Sequence, residues 1–489
     1  VKGMPGVKHV LRVGDSAVAV VAETWWQAKT ALEAVKISWD EGPNKGHSTA
    51  AFAEVLKEGL TSTKDVFVGN KNGDIAPAFG AAGVKKVEAV YGYPHQNHAT
   101  LEPMNATALW TADKCEVWCP TQNGEAALAA AAKAADLPQT KCDVYKIHLG
   151  GGFGRRGAFH DYVTQAVLIA KQIPGVPVKM IWSREEDMAH GFYHPVTMAK
   201  MSGALDDKGN LTALHMRISG QSILAQVRPE AMQNGRDPVV FQGVAPDDTA
   251  KPTANEHAIC YAVPNLLVEH AMRNPPVPVG FWRGVNVNQN AVYMESFLDE
   301  LAKTAGVDPL EFRLKLLGSQ PKAAAVLKAV AEKGGWGKPM TGGVQGRGLG
   351  FLRSFGAYTA AMAEVSVSDK GKLKIHRIVA ATDPGYAVNP RQIEMQVEGS
   401  FVYGLGALLH QAITFKDGRA VEQNFDTYPP LRLEEMPRVE TIVMPSGGWW
   451  GGVGEPTISV AAPAVLNAIA AATGKRIREL PIKNQSLRA

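Results

Sequence analysis

The chain has 489 residues, 45% of them hydrophobic and 20% charged, with 51 Lys and Arg against 47 Asp and Glu for a net charge of +4. This is globular composition, long enough for about three domains and for a core that needs no disulfides. The small charge, with no basic run interleaved with aromatics, gives no case for nucleic acid. The most apolar stretch, Val453 to Ala471, is interrupted by Glu455, Pro456, Pro463 and Asn467, short of the roughly 18 uninterrupted residues of a spanning helix.

In chain order, Ser16–Ala22 predicts a strand, Trp25–Val35 a helix and Lys36–Trp39 a further strand. Gly42–Thr49, rich in Gly, Lys, Pro and Ser, predicts a linker. Glu88–Tyr93 and Ala106–Trp110 predict strands, and the Ala-rich Glu125–Leu137 a helix. Lys141–Leu149 predicts a strand, then a glycine turn, then a helix over Asp161–Gln172. Later helices are expected at Ala291–Thr304, Pro309–Leu316, Ala323–Glu332, Gln392–His410 and Val460–Thr473. Later strands are expected at Ala361–Val367, Lys374–Ala380 and Val439–Val443. Strands and helices mix without a βαβ rhythm, which points to an α+β fold. The glycine-rich Gly334–Gly348 marks an internal boundary, and no solenoid repeat is present.

The four cysteines, Cys115, Cys119, Cys142 and Cys260, lack the tight spacing of an iron–sulfur site. Cys115 and Cys119 flank a strand-like segment and are expected on different faces. Joined to His95 and His98 they would make a zinc site, and buried structural thiols are the default alternative.

Five segments carry possible chemistry. Gly150-Gly151-Gly152-Phe153-Gly154-Arg155-Arg156 lies between a strand and a helix. Glycines there let the backbone approach a ligand, and successive amides can form an anion nest. The spacing fits neither Gly-x-Gly-x-x-Gly nor a P-loop, so a plain tight turn stays open. Gly452-Val453-Gly454-Glu455-Pro456 holds a carboxylate on a constrained loop; an apolar pocket would raise its pKa and suit a general base, while a helix-start charge is the alternative. The others are Phe281-Trp282-Arg283-Gly284 with Asn286, Asn288, Gln289 and Asn290; Gln96-Asn97-His98 with Leu101-Glu102-Pro103; and Asp383-Pro384-Gly385 with Asn389-Pro390 and Gln396-Val397-Glu398-Gly399. Each also reads as turn or capping chemistry. No Gly-x-Ser-x-Gly elbow or His-Glu-x-x-His motif supports a hydrolase.

Taken together and in this order, the five segments resemble the large subunits of the xanthine dehydrogenase and aldehyde oxidoreductase (molybdenum hydroxylase) family, over nearly the whole chain. The Gly-Gly-Gly-Phe-Gly-Arg-Arg ending, with Ser354-Phe355-Gly356 and Ala363-Glu364-Val365, is most similar to the isoquinoline 1-oxidoreductase branch. The resemblance implies a multi-domain α+β architecture: a partial hammerhead-like domain over residues 1–45, then molybdopterin-binding domains over 60–335 and 345–489. It implies molybdenum held by molybdopterin cytosine dinucleotide, with no side chain ligating the metal directly. Glu455 matches the catalytic base, and Gln96, Gly151, Gly152, Phe153, Gly154, Arg283 and Gln396 match cofactor-binding positions. Arg155 and Arg156 are expected either on a cofactor phosphate or as solvated charges. The implied reaction is oxidation of an aldehyde, or hydroxylation of an N-heteroaromatic ring, with oxygen from water. Electrons would leave to an iron–sulfur subunit, with a cytochrome c subunit beyond it.

Two departures stand out. No Met-Gly-Gln-Gly-type cofactor loop is found, and Val1–Val10 reads as mid-domain sequence, so either a second chain is expected to supply the missing N-terminal half or this chain is a fragment of a longer one. The purine enzymes' substrate-orienting arginine would fall at Pro252-Thr253-Ala254-Asn255, where none occurs, which counts against purines. A non-catalytic relative and a nicotinamide-dependent oxidoreductase are the competing readings; the missing Gly-x-Gly-x-x-Gly counts against the second.

Overall fold

The computed structural model describes residues 1–247 and 254–488, with the side chains of 254 and 255 left aside. An antiparallel hairpin, Val7–Val13 with Ala17–Ala22, opens the chain and is followed by the helix Trp25–Ala34. A capping box starts that helix: the Thr24 hydroxyl accepts from Gln27 N, and the Thr24 amide donates to Gln27 Oε1 at 3.1 Å. Leu11, Ala17, Ala19 and Val21 of the hairpin seat on the core of a four-stranded sheet. Its strand order is Cys142–Ile147, Cys115–Pro120, Asn105–Trp110, Val178–Ile181, with helices Gly124–Ala135 and Asp161–Ala170 against it.

A second sheet has the order Val66–Asn72, Asn265–Met272, Leu211–Gly220, Thr197–Leu205, Lys85–Tyr93. A third runs Gly346–Ser354, Ala357–Val367, Leu373–Asp383, Arg438–Val443. Both are antiparallel except for one parallel pair each. This is the α+β arrangement expected from the missing βαβ rhythm. Helices Val287–Ala305 and Ala461–Thr473 join the two sheets into one continuous core. The second helix lies almost in contact with strand Gly346–Ser354: a Cβ at Gly348 would sit 2.1 Å from Ala468 N. The apolar segment Pro456–Thr473 is therefore core, 78% of it buried. Helix Pro321–Gly334 also lies on the third sheet, so packing runs on across the glycine-rich stretch that follows it.

Helix Val287–Ala305 is buried from Val287 to Ala302, polar residues included. Asn290 Nδ2 donates to Val240 O and Gln242 O, both at 2.8 Å, so this amide serves buried carbonyls and not a turn. Glu295 and Arg313, both fully buried, pair at 2.8 Å, and Tyr261 OH donates to the other Glu295 oxygen at 2.7 Å. Arg313→Met would leave a buried carboxylate without its cation. It should cost about 3–5 kcal/mol of stability, read as a lowered urea midpoint with an unchanged slope.

Several expectations need correcting. Lys36–Trp39 is irregular chain with no strand partner among the described residues, and Ile37 and Trp39 are exposed; without a neighbouring strand its alternation buries nothing. Gly42–Thr49 is a 3₁₀ turn, Gly42–Gly46, running into a helix at Thr49 that Ser48 caps. Cys115 and Cys119 lie on the same face of one strand, both fully buried, because four residues is two periods of a strand. The zinc set does not assemble. His95 contacts Gln221 Oε1 and His98 the Phe281 carbonyl, while both thiols sit in the core of the first four-stranded sheet. All four cysteines are free and buried.

Candidate active site

The glycine loop after strand Cys142–Ile147 is held from beneath. Gln122 Oε1 accepts from Gly154 N at 3.1 Å and Arg156 N at 3.3 Å. Neither arginine is solvated or directed at a ligand. Arg155 pairs with both Asp161 oxygens, at 2.9 and 2.8 Å, and its guanidinium lies over the Trp182 and Phe192 rings. Arg156 is fully buried, donating to Gly151 O at 2.9 Å and to Glu102 Oε2 at 3.0 Å. The guanidinium forks are spent on internal carboxylates and carbonyls, so the arginines brace the loop and both expectations for them fall.

Phe153 is thereby forced into the left-handed region, φ 53°. Its ring stacks on Tyr403 at 4.3 Å, and Tyr403 stacks on the buried Trp282 at 4.5 Å. Tyr403 OH donates to the His98 carbonyl, and Trp282 Nε1 to Asn97 O at 3.0 Å. Burial pushes the His98 imidazole down to about 3, so it is neutral and its Nε2–H donates to Phe281 O at 3.1 Å. Gly154, φ 106°, lets that carbonyl approach: a Cβ there would stand 1.6 Å from Phe281 O.

The opposite wall comes from two loops tied by Arg283. Its guanidinium donates to Gly454 O at 2.9 and 2.6 Å and to Gln396 Oε1 at 3.2 Å. Burial lowers its pKa, opposed by nearby Tyr403 and Glu455. Glu455 accepts from Gly284 N at 2.9 Å. Val285 has φ 48°, an outlier for a β-branched residue; its carbonyl accepts from Asn288 Nδ2 at 3.1 Å and faces His194 Nε2 at 3.0 Å. Two strained non-glycine residues, Phe153 and Val285, on facing walls of one cavity mark a conformation that the surrounding packing enforces.

Phe153, Gly154, Arg283, Gln396 and Glu455, distant in sequence, line a single cavity of about 650 Å³. Gly151 and Gly152 stand behind that wall: a Cβ at Gly151 would press the Phe153 ring at 3.1 Å, and one at Gly152 would meet Gln122 at 2.4 Å. Gln96 is fully buried and is not among the residues lining the cavity. Its Oε1 accepts from Tyr93 OH at 3.3 Å, and its Nε2 has no partner among the described residues. Sequence reading passed over Gln122, Arg228 and Val285, which also line the cavity. Thr121-Gln122-Asn123 looks like simple helix capping, and Arg228 sits in no motif. Positions 252–253, where the purine-type arginine would fall, lie outside the described residues, as do the side chains of 254–255.

Two molybdopterin cofactor-binding domain families match this chain, one over residues 60–232 and the other over 285–437. The nicotinate dehydrogenase of Pseudomonas putida has a subunit 29% identical to it, over 99% of this chain and 41% of that subunit's own length. The beta subunit of isoquinoline 1-oxidoreductase from Brevundimonas diminuta is 27% identical over 98% of this chain and 61% of its own. This chain thus spans about half the length of these curated relatives. The aldehyde oxidoreductase structure from Desulfovibrio desulfuricans superimposes with a TM-score of 0.76 at 15% identity, covering 100% of this chain and 74% of that one. The motifs in order, the two matched domains and the shared fold agree: this chain belongs to the molybdenum hydroxylase large-subunit family.

Proposed function

We propose that this chain forms the substrate pocket and supplies the base of a molybdenum hydroxylase. The enzyme would oxidise an aldehyde to a carboxylic acid, or hydroxylate an N-heteroaromatic ring, with water as the oxygen source. The observation that carries this reading is Glu455, the one acidic side chain among the residues lining the cavity, facing it together with Phe153 and Gly154. The residues fit a planar, polar cofactor. A Cβ at Gly454 would meet nothing nearer than Gln396 Oε1 at 4.0 Å, which leaves open backbone on the wall, and the Gln96 amide is a buried donor without an acceptor. Phe153, Gly154, Arg283 and Gln396 would hold molybdopterin cytosine dinucleotide, and Gln96 would donate toward it from the layer behind.

The bound cofactor supplies the two-electron oxidant. Arg283 clamps the Gly454 carbonyl and so sets the direction of Glu455; the Gly284 amide fixes one carboxylate oxygen and leaves the other to take a proton from the water-derived nucleophile. The aromatic stack behind Phe153 keeps that wall dry and rigid. Substrate C–H and water become C–OH, with two protons and two electrons released. All four cysteines are buried structural thiols, burial pushing Cys119 up to about 11 and Cys115 to about 12. The electrons are therefore assigned to a partner bearing iron–sulfur clusters, with a cytochrome c subunit beyond it.

Metal and pterin analysis of the purified assembly, followed by turnover of aldehydes against N-heterocycles, tests this. Stoichiometric molybdenum with turnover of either class is expected. A nicotinamide in place of molybdenum, or a molybdenum-loaded protein inert to both classes, would overturn it.

A further inference from the structure

Arg228 lines the same cavity as Glu455, and the hydroxylase chemistry leaves it without a role. Its position is built. Asp237, fully buried, accepts from Ser222 Oγ at 2.7 Å and Leu224 N at 3.1 Å, tying down the short helix Ile223–Val227. Gln226 Oε1 accepts from Val279 N at 3.0 Å, fastening the same helix beside Phe281. Arg228 follows directly as that helix's C-terminal cap, its amide donating to Leu224 O at 2.9 Å, and its side chain is exposed where it reaches the cavity. Its guanidinium lies over the Phe281 ring at 5.9 Å. No acceptor among the described residues takes a hydrogen bond from it, whereas the other cavity arginine, Arg283, is occupied by Gly454 and Gln396. Phe281 stacks in turn with Phe159. The cavity thus pairs an aromatic wall with an exposed, unspent cation on a fixed backbone.

We propose that Arg228 binds a carboxylate carried by the substrate, so that the pocket selects anionic aromatic aldehydes or ring acids over their neutral analogues; this rests on the hydroxylase reading above. The geometry favours a carboxylate over a cofactor phosphate. A phosphate site commonly gathers backbone amides, but here the Arg228 amide already donates to Leu224 O and Pro229 has none. A guanidinium fork matches a carboxylate bidentately, and the ring of such a substrate would lie along Phe281.

The test uses the purified holoenzyme and its Arg228→Gln and Arg228→Lys variants. Turnover of 4-formylbenzoate is compared with that of its methyl ester, benzoate binding is titrated calorimetrically, and molybdenum and pterin are measured. In Arg228→Gln the anionic-to-neutral ratio of kcat/KM should fall on the order of 10–100-fold, the size of one charge-assisted pair, with the change carried by KM. Benzoate affinity should fall similarly, and Arg228→Lys should regain part of both. An unchanged ratio and unchanged benzoate affinity would overturn the proposal. So would loss of molybdenum and pterin from Arg228→Gln, which would put the guanidinium on the cofactor's phosphate. If the unmodified enzyme turns over neither aldehydes nor heterocycles, the hydroxylase reading fails, and the benzoate titration still decides whether Arg228 is a carboxylate site.

Discussion

Glu455→Gln should lower kcat on the order of 10²–10⁴-fold, the usual worth of a positioned general base, while molybdenum content stays close to that of the unmodified protein. Glutamine keeps the side chain's length and a carbonyl oxygen that can still accept from Gly284 N, the contact Glu455 makes at 2.9 Å. Only the proton acceptor is lost. A helix-start role is a poor rival, because Glu455 makes no side-chain capping hydrogen bond to the 3₁₀ turn Pro456–Val460 that follows it. Such a charge would be worth about 0.3–1 kcal/mol in stability and would barely touch turnover. Near-full kcat at saturating substrate would remove Glu455 from the mechanism. Molybdenum lost in proportion to activity would make it a structural residue.

Gly154→Ala should be nearly as damaging by a different route. The new Cβ would stand 1.6 Å from Phe281 O, a backbone atom in the segment that carries Trp282 and Arg283. It cannot be relieved by a rotamer change, so the glycine loop and the Phe281–Arg283 wall must separate. A displacement near 1 Å at a reacting centre costs roughly 10²-fold, and the residue must also hold a left-handed φ, worth about 1–3 kcal/mol. The expected result is at least a 10²-fold fall in kcat, on the same displacement argument, with reduced molybdenum occupancy. Gly175→Ala is the control: Gly175 has φ 78° with nothing within 4 Å of a built Cβ. It should show the conformational cost alone, as a small drop in melting temperature with turnover retained. Equal kinetic effects at both positions would show that close approach at Gly154 does not matter.

The long helices were legible because their signals are local. Pro309 and Pro390 stand at first helical positions, so Pro309–Leu316 and Pro390–Leu409 emerge close to expectation. The order of the five motif segments was equally plain, and it carried the family. The strands Thr197–Leu205, Leu211–Gly220 and Gly346–Ser354 were not legible. Gly346–Ser354 lies between covered faces and carries glycine where a half-exposed strand would alternate, so no period of two is written in it; in the other two the alternation covers only Ala199–Ser202 and Leu214–Ile218, too short to stand out.

Charge placement was the other thing sequence could not decide. Two arginines beside a glycine loop look like phosphate ligands, yet Arg155 turns to Asp161 and Arg156 to Glu102, 54 positions earlier in the chain. Arg228, in no motif at all, lines the cavity together with Arg283. Glu455 could be recognised by its Gly-Glu-Pro setting, but its aim depends on Arg283 and Gly284, 171 or more positions away. An ion pair or hydrogen bond goes to whichever partner the packed core brings within about 3 Å, and that neighbour is settled by strand order and helix packing, which local sequence does not encode.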